Sequence, residues 1–537
     1  MNPLDLSNTG DRHLARILQL QAQQNGSTEF LISDKTRVTY GQAEDLTARL
    51  ATGLANAGIT KGDRVCLFMA NAPEVVLICL ALNKLGAIWV PICTDYKGEW
   101  LRDTLERSRP CALFTDRKLA PRLAEVADAL EHTQVIALDE NCSEFPNALQ
   151  YRQLLQHTPF AFDHMSHSYG DTCAILWTSG TTGRSKGVMQ AHNNWIRSTL
   201  LGTSLQYTLR PDDITYCALP LYNSGAWLTC VIRAMMAGIG CVIEEKFSVS
   251  QFMARIEHFN ATQTFAIGAM GVFLMKSPER EDDALTPLRE AAIVPMPPEQ
   301  WEKFEKRFGV KLNRGGLGQS ECLLHLNQEH STIKLPTYSL GHPTPDVDVI
   351  LCDDSGQEVA DGETGEICVR PMAPHILFNG YFDNPVATAE TFRGDWFLTG
   401  DMGRKDPATG GFYFVDRKKD AVRFAGRNIS TLEVENVVRR HSAVMDVAAF
   451  GIPSEELASE DELKINIVLE EGKTIIEEEI CAFINEIAPH YFVPRYIEFV
   501  TGLPYTPTNK VQKFQLRKAG INAETWDLKR SSYQVRK

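Results

Sequence analysis

The stretch Ile175–His192 reads ILWTSGTTGRSKGVMQAH. It begins as a buried strand and turns abruptly into a run of glycine, serine, threonine, arginine and lysine. Glycines at 180, 183 and 187 let backbone N–H groups approach a bound group closely. The hydroxyls of Thr178, Ser179, Thr181, Thr182 and Ser185 can donate to anionic oxygens, and Lys186 adds a point charge. A buried strand ending in such a loop is a means of holding phosphate. The Walker pattern G-x-x-x-x-G-K-[ST] needs glycine just before the lysine and a hydroxyl just after it. Here Ser185 precedes Lys186 and Gly187 follows it, so the Walker reading fails. On composition alone, a plain polar surface loop stays open as the alternative.

Apolar runs and helical stretches alternate on both sides of this loop. Residues 40–60 carry apolar positions at helical spacing and end at Gly58, and GDRVCLFM follows as a short strand. AIWVPI and CALFTD read as further strands. After the loop come the strand DITYCALP, the helix AWLTCVIRAMMAG and the strand CVIEE. This alternation marks an α/β sheet. From about residue 340 the texture changes to short alternating strands, DVDVILCD, GEICVR and GFYFVD, joined by Gly/Asp turns. Beyond Asp416 the charged, turn-rich RKKDAVRFAGRNIS leads into a helix (TLEVENVVRRH), two strands (DVAAFGI, KINIVLE) and a helix (IIEEEICAFINEIA). That is a small α+β unit of about 120 residues, with a hinge expected at Arg417–Asp420.

At 537 residues the chain has room for two or more domains, and its 44% hydrophobic and 23% charged content is that of a globular protein. A net charge of -14 argues against nucleic acid as a partner. The 13 cysteines fall singly, with no C-x-x-C pair. They read as small buried hydrophobes of a reducing compartment, not as a zinc or redox centre. MNPLDLSNTGDRHLARILQ lacks the basic-then-apolar layout of a secretory leader. The longest apolar stretch, VVLICLALNKLGAIWVPIC, is broken by Asn83, Lys84 and Gly86, and reads as a core helix followed by a strand. No transmembrane segment is expected, QVRK at the end is not a peroxisomal address, and the expected location is the cytoplasm.

TSGTTGRSKG resembles the T-S-G-T-T-G-x-P-K-G signature of the adenylate-forming superfamily, which holds acyl-CoA synthetases, luciferases and the adenylation domains of peptide synthetases. The departure is Ser185, where proline is usual, a change expected to loosen the loop. LGQSE, Leu317–Glu321, resembles Y-G-x-T-E. The resemblance implies that Gly318 and Ser320 lie at the nucleotide and that Glu321 binds Mg2+, while Leu317 replaces the aromatic that lies on adenine. FLTGDMG matches T-G-D, so Asp401 would accept hydrogen bonds from the ribose hydroxyls. In VDRKKD, Arg417 matches the ribose-contacting arginine and Lys419 the hinge. GETGEI, residues 362–367, matches a turn read as structural. LPYTPTNKVQKFQLRK resembles L-P-x-T-x-x-G-K-x-x-x-x-x-L-R, which puts Lys510 on the catalytic lysine, with Asn509 for the usual glycine. Arg423 and Gly426 fall on the motif that would meet the pantetheine arm of coenzyme A.

These motifs stand in family order over nearly the whole chain. The resemblance implies an α/β fold with a large N-terminal AMP-binding domain, residues 1–417, of two α/β subdomains and a small β barrel, followed by a small mobile α+β cap, residues 418–537. It implies an acyl-CoA ligase using ATP, Mg2+ and coenzyme A. A carboxylate attacks the α-phosphate to give acyl-AMP and pyrophosphate, then the thiol takes the acyl group and AMP leaves. Lys510 would bridge carboxylate and α-phosphate, and the cap would turn about Lys419 between the two steps.

The partner is a small-molecule carboxylic acid, and the acyl-pocket candidates are His192, Asn223, Trp227, Gly315 and Gly316. No Asp or Glu lies between Pro220 and Ile232 to hold an amine, and no carrier domain is expected after Lys510, which disfavours a peptide synthetase. AIVPMPP, residues 292–298, replaces the G-G-A-P adenine segment and, with PEQWEKFEKRFGVKL, looks like the carnitine/crotonobetaine-CoA ligase branch. A quaternary ammonium would want an aromatic cage, for which Trp227, Phe265 and Phe273 are candidates. Gly315 and Gly316 could equally leave a tunnel for a fatty or steroid chain. A luciferase-like enzyme acting on the same adenylate, a nucleotide-binding relative without turnover, and a homodimer remain open.

Overall fold

The computed structural model describes the chain apart from residues 1–3, 141, 179–184, 207, 295, 297, 314, 329–332, 337, 419, 421, 425–426, 455–460, 506–509 and 537, and the side chains of 203–206, 269, 298–299, 423–424 and 427–428. It divides into two compact units. One comprises Met1–Thr178, Ser185–Asp348 and Arg370–Asp395; the other takes in Val349–Val369 and Trp396–Lys537.

The first unit is built on two seven-stranded sheets of like design. One runs Leu149–Gln150, Gln134–Ala137, Ala112–Thr115, Arg64–Phe68, Ile88–Pro91, Thr172–Thr178, Lys186–Ala191, parallel except for the last pair. The other runs Lys311–Leu312, Glu290–Val294, Gln263–Ile267, Ile214–Cys217, Gly240–Ile243, Glu29–Ile32, Arg37–Thr39, again with only the last pair antiparallel. Parallel strands need crossover connections that cover both faces, so they read as unbroken apolar runs. In Arg64–Phe68, Val65 and Leu67 face the main core, while Cys66 and Phe68 face Leu101 and Leu105 of the helix Gly98–Ser108. The main core joins both sheets through the helices Leu14–Asn25, Tyr40–Asn56 and Pro73–Lys84.

Local signals set these elements. Thr39 caps the helix Tyr40–Asn56 reciprocally: its hydroxyl accepts from Gln42 N at 3.2 Å, and the Gln42 side chain accepts from Thr39 N at 2.9 Å. The buried ammonium of Lys84, in the middle of the longest apolar stretch, is held by Glu44 at 2.6 Å. AWLTCVIRAMMAG is helical but not uniform: a π turn, Trp227–Val231, separates Ser224–Ala226 from Ile232–Ala237. Every cysteine is a free thiol, and all but Cys93 and Cys111 are buried, as their scatter implies. Among the described residues no helix is long and apolar enough to cross a membrane.

The short strands expected after residue 340 are present as Val347–Cys352, Thr364–Pro371 and Phe412–Arg417, and a further strand, Trp396–Lys405, pairs antiparallel between the last two. RKKDAVRFAGRNIS, read as turns, contains a two-stranded hairpin, Val422–Phe424 with Arg427–Ile429. The expected α+β part follows. The sheet Val444–Pro453, Asp461–Leu469, Tyr496–Phe499, Trp526–Asp527 and the helices Thr431–Val438 and Glu477–Ile487 share a core of their own around Val434, Ile465, Ile467, Ile480 and Ile497.

One buried cluster ties the N-terminal helix to the first sheet. His13 caps the helix Leu14–Asn25, its Nδ1 accepting from Ala15 N at 3.2 Å, and His192 Nδ1 accepts from Leu14 N at 3.3 Å. The two rings lie 3.6 Å apart, with His167 5.2 Å from His13. Burial, then the charges of His192, His167, Lys84 and His164, hold His13 well below the usual histidine range. Burial pushes His192 down to about 3, with Asp171 opposing and His167 and Lys61 adding to the fall. Both histidines are therefore neutral in the folded chain, whereas the unfolded chain takes up protons near pH 6.5. Their contribution to stability is full above that pH and is lost as pH falls below it toward the lowered folded values. Urea titrations from about pH 7.5 to 5 should show a falling midpoint, and His13→Asn, which keeps a capping oxygen but does not titrate, should flatten the fall. A midpoint independent of pH would contradict the neutral pair.

Candidate functional site

The phosphate-loop stretch is the mouth of a hairpin. Thr172–Thr178 and Lys186–Ala191 pair antiparallel, with Thr178 opposite Lys186. The loop thus joins strand to strand, and the second strand is one that sequence reasoning did not place. Thr178 Oγ1 donates to Lys186 O at 3.3 Å, and the Ser185 hydroxyl donates to Thr178 O across the mouth. At the position where proline is usual, the Ser185 hydroxyl thus ties the two strand ends together. Arg107 donates to Ser185 O at 2.7 Å and lies 4.4 Å over the Trp177 ring, whose Nε1 donates to Ser108 Oγ at 2.8 Å. Ser179, Gly180, Thr181, Thr182 and Gly183 lie outside the described residues.

Residues 378–382 form an added edge on this hairpin. Asn379 N donates to Met189 O at 2.8 Å, Met189 N to Gly380 O at 3.1 Å, and Phe382 N to Gly187 O at 2.7 Å. Gly380 has φ of +98°, which a side chain would strain. The same segment reaches the LGQSE turn, which links the paired strands Gly316–Gln319 and Cys322–Asn327. Phe378 N donates to Glu321 O at 2.8 Å, and the Tyr381 hydroxyl donates to Glu321 Oε1 at 2.7 Å. Lys186 Nζ lies 4.6 Å from the centre of the Tyr381 ring. Gln190, steadied by Asn194 at 2.7 Å, donates to Ser320 O. Burial, then the Glu321 charge, pushes the Tyr381 phenol up, so it stays a donor. Sequence reasoning missed Tyr381; its one local signal is the glycine turn in FNGYFDNP.

Glu321 fits the role of a Mg2+ ligand. Its carboxylate is half-buried and, among the described residues, Tyr381 is its one side-chain hydrogen-bond partner. Mg2+ takes one or two carboxylates plus substrate phosphate oxygens, so a single hard oxygen donor is enough.

In the second unit Asp401 stands opposite Arg417 on paired strands. The Asp401 carboxylate is fully buried, with Arg417 Nε at 2.8 Å. The turn is fixed by Thr399, which donates to Ile367 O at 2.8 Å and accepts from Asp401 N at 3.1 Å. Glu366 of the GETGEI turn accepts from Gly400 N and from Lys418 Nζ, each at 2.9 Å, a structural role as read. Lys510 is an exposed residue, yet desolvation of its amine and then the Arg417 charge hold its pKa below the usual lysine range, with Asp401 opposing. Arg417 and Asp401, from two separated motifs, thus pair with each other, and both bear on the amine of Lys510 from a third. Arg423 lies on the strand Val422–Phe424, opposite Asn428; its side chain, Lys419 and Gly426 lie outside the described residues.

The acyl-pocket candidates fare differently. His192 is in the core against His13, not at an opening. Trp227 is 1% exposed, stacks on Trp89 at 4.5 Å and donates to Leu221 O at 2.7 Å, so its apolar area serves the core. A Cβ at Gly316 would stand 2.2 Å from Leu326 O, one at Gly318 2.0 Å from Leu323 O, and one at Gly315 2.8 Å from Val294 Cγ1. The close approach of neighbouring chain accounts for these glycines. Asn223 is half-buried and caps the turn Ser224–Ala226, accepting from Gly225 N at 3.3 Å.

Residues 18–382 match the family model of AMP-binding enzymes, and residues 433–510 that of the AMP-binding enzyme C-terminal domain. The chain belongs to the AMP-binding enzyme family. Over 518 residues this AMP-binding enzyme is 30% identical to a crotonobetaine/carnitine–CoA ligase of Escherichia coli O1:K1, covering 95% of its own chain and 99% of the relative. That likeness places it in the acyl-CoA ligase branch. Its fold is similar to that of an anthranilate CoA ligase solved with anthranoyl-AMP, with a TM-score of 0.84 at 24% identity over 95% of this chain and 97% of that one. It is also similar to a benzoate CoA ligase from Burkholderia xenovorans LB400, with a TM-score of 0.83 at 22% identity over 94% and 99%.

The hairpin tie is testable. Ser185→Ala should raise the KM for ATP by about two- to tenfold, the scale of one net hydrogen bond, and Ser185→Pro should restore it by stiffness. An unchanged KM in the alanine variant would show the tie to be idle.

Proposed function

We propose that this protein is an ATP-dependent acyl-CoA ligase that activates a carboxylic acid as acyl-AMP and passes the acyl group to coenzyme A, with AMP and pyrophosphate as products. The observation that carries the reading is the ion pair of Arg417 with the buried Asp401, with the Lys510 amine, far off in sequence, near enough to feel both charges. Asp401 accepts from the ribose hydroxyls and Arg417 donates to the sugar. Lys510 directs its ammonium at the carboxylate and α-phosphate, where charge builds up. The loop of Thr178, Ser179, Gly180, Thr181, Thr182 and Gly183, with Lys186, holds the outer phosphates, and Gly318 and Ser320 lie at the nucleotide. Glu321 would hold Mg2+, which would neutralise phosphate charge.

In the first half-reaction a carboxylate oxygen bonds to the α-phosphorus and the bond to the β-phosphate oxygen breaks. In the second, the coenzyme A sulfur attacks the acyl carbon, loses its proton, and AMP leaves with the acid's oxygen. The two steps need different surroundings, and the proposal assigns the change to rotation of residues 418–537 against 1–417 about Lys419. Arg423 and Gly426 then meet the pantetheine arm. The contacts flanking the hinge, Lys418 with Glu366 and Asp420 with Arg517 at 2.6 Å, are salt bridges that a rotation must break or carry along.

The acid is proposed by class only. Residues 220–232 offer no carboxylate for a substrate amine. A quaternary ammonium such as carnitine, named in the relative, would want an aromatic cage, and Trp227 is committed to Trp89.

A panel of carboxylic acids with ATP, Mg2+ and coenzyme A, read by mass spectrometry, should give an acyl-CoA, AMP and pyrophosphate that all depend on the acid. ATP turnover indifferent to the acid would count against the reading. Lys510→Ala should lose acyl-AMP formation by a factor on the order of 10² or more, the scale of one preorganised contact. It should still convert supplied acyl-AMP and coenzyme A to the thioester. Loss of both halves, or of neither, would contradict the role of Lys510.

A further inference from the structure

Lys186 and Glu321 carry opposite charges and both lie against Tyr381, one on the ring face and one at the hydroxyl. Among the described residues they form no ion pair with each other. An ammonium and a carboxylate drawn to one side chain attract each other, and a direct pair would hold both back from a ligand. Tyr381 offers each a different surface: π-face for the cation, O–H for the anion. Its own freedom is small. It is 6% exposed, its N donates to Thr388 Oγ1 at 2.9 Å, it bridges Val188 on the hairpin, and its ring meets Phe378 edge-on at 4.9 Å.

We propose that Tyr381 is a positioning residue that aims the Glu321 carboxylate at the metal and seats Lys186 toward phosphate, keeping the two charges apart. This rests on the reading of Glu321 as a Mg2+ ligand and Lys186 as a phosphate contact. The hydrogen bond engages Oε1 and restrains rotation of the carboxylate, so Oε2 would be the oxygen offered to a metal. Hydrogen-bonded supports of this kind are worth about 10- to 100-fold in metal affinity. The ring acts separately on Lys186, so the two duties can be removed one at a time.

Tyr381→Phe deletes the hydroxyl and keeps the ring; Tyr381→Leu deletes both. Binding of a non-hydrolysable ATP analogue is followed by calorimetry across a range of Mg2+ concentrations. Tyr381→Phe should move the Mg2+ midpoint up by about tenfold, with affinity at saturating Mg2+ changed less than about twofold. Tyr381→Leu should also weaken binding at saturating Mg2+. Glu321→Gln should move the midpoint by itself, and adding Tyr381→Phe to it should move it no further. Glu321→Asp, which draws the carboxylate back from an intact tyrosine, reads the same hydrogen bond from the other side and should also raise the midpoint.

If Glu321→Gln shifts the midpoint and Tyr381→Phe does not, the positioning role is overturned while the metal reading stands. The same holds if the two shifts simply add. If Glu321→Gln itself leaves the midpoint unmoved, the metal reading fails and the positioning role with it.

Discussion

Three backbone hydrogen bonds between Gly187–Met189 and residues 379–382 close the free edge of an antiparallel hairpin hung on an otherwise parallel sheet. An unpaired edge strand is mobile and sticky. Pairing on both sides turns this one into a stiff bracket. The same segment, through Phe378 N and the Tyr381 hydroxyl, reaches Glu321. Cation and carboxylate are thus referred to a single piece of chain, and Gly380 at φ +98° is the turn that lets it serve both.

Phosphoryl chemistry explains why such rigidity is needed. An anion must approach a phosphorus already surrounded by negative oxygens, and cations fixed before the event cost no reorganisation during it. Each unit holds its charges in prearranged partnership. In the first, Lys186 and Glu321 share Tyr381. In the second, a fully buried Asp401 is held by Arg417 at 2.8 Å, and the amine of Lys510 feels both. Burying a carboxylate is costly unless its partners are in place, so Asp401 would be an odd choice for stability alone. Local rules are broken where a site is built.

Much of the fold was legible because its signals are local. Unbroken apolar runs announce parallel strands, and apolar positions at helical spacing that end at Gly58 announce the helix Tyr40–Asn56. The strand Lys186–Ala191 was not legible, because Lys186, Gly187 and Gln190 interrupt any apolar pattern and its partner strand lies across the loop. The hairpin at Val422–Phe424 hid in the same way, among arginines and turn residues. At the site, the sequence motifs name Asp401, Arg417 and Glu321 by residue type and spacing, and they do not name a residue whose part depends on a neighbour. Asp401 and Arg417 belong together by strand register. Tyr381 gains its meaning only when the fold brings it to Glu321. His192 and Trp227 misled for the converse reason: a histidine or a tryptophan suits a pocket or a core equally, and here His13 and Trp89 claim them.

The central claim is that the acid is activated as its adenylate, which fixes where its oxygen goes. The direct measurement is isotopic. A carboxylic acid labelled with heavy oxygen at both positions is turned over with ATP, Mg2+ and coenzyme A, and the products are weighed. The account predicts one heavy oxygen in each AMP, one left in the thioester carbonyl, and none in pyrophosphate. Unlabelled AMP, or heavy oxygen in pyrophosphate or free phosphate, would mean that the acid attacks elsewhere on ATP or not at all, and would contradict it.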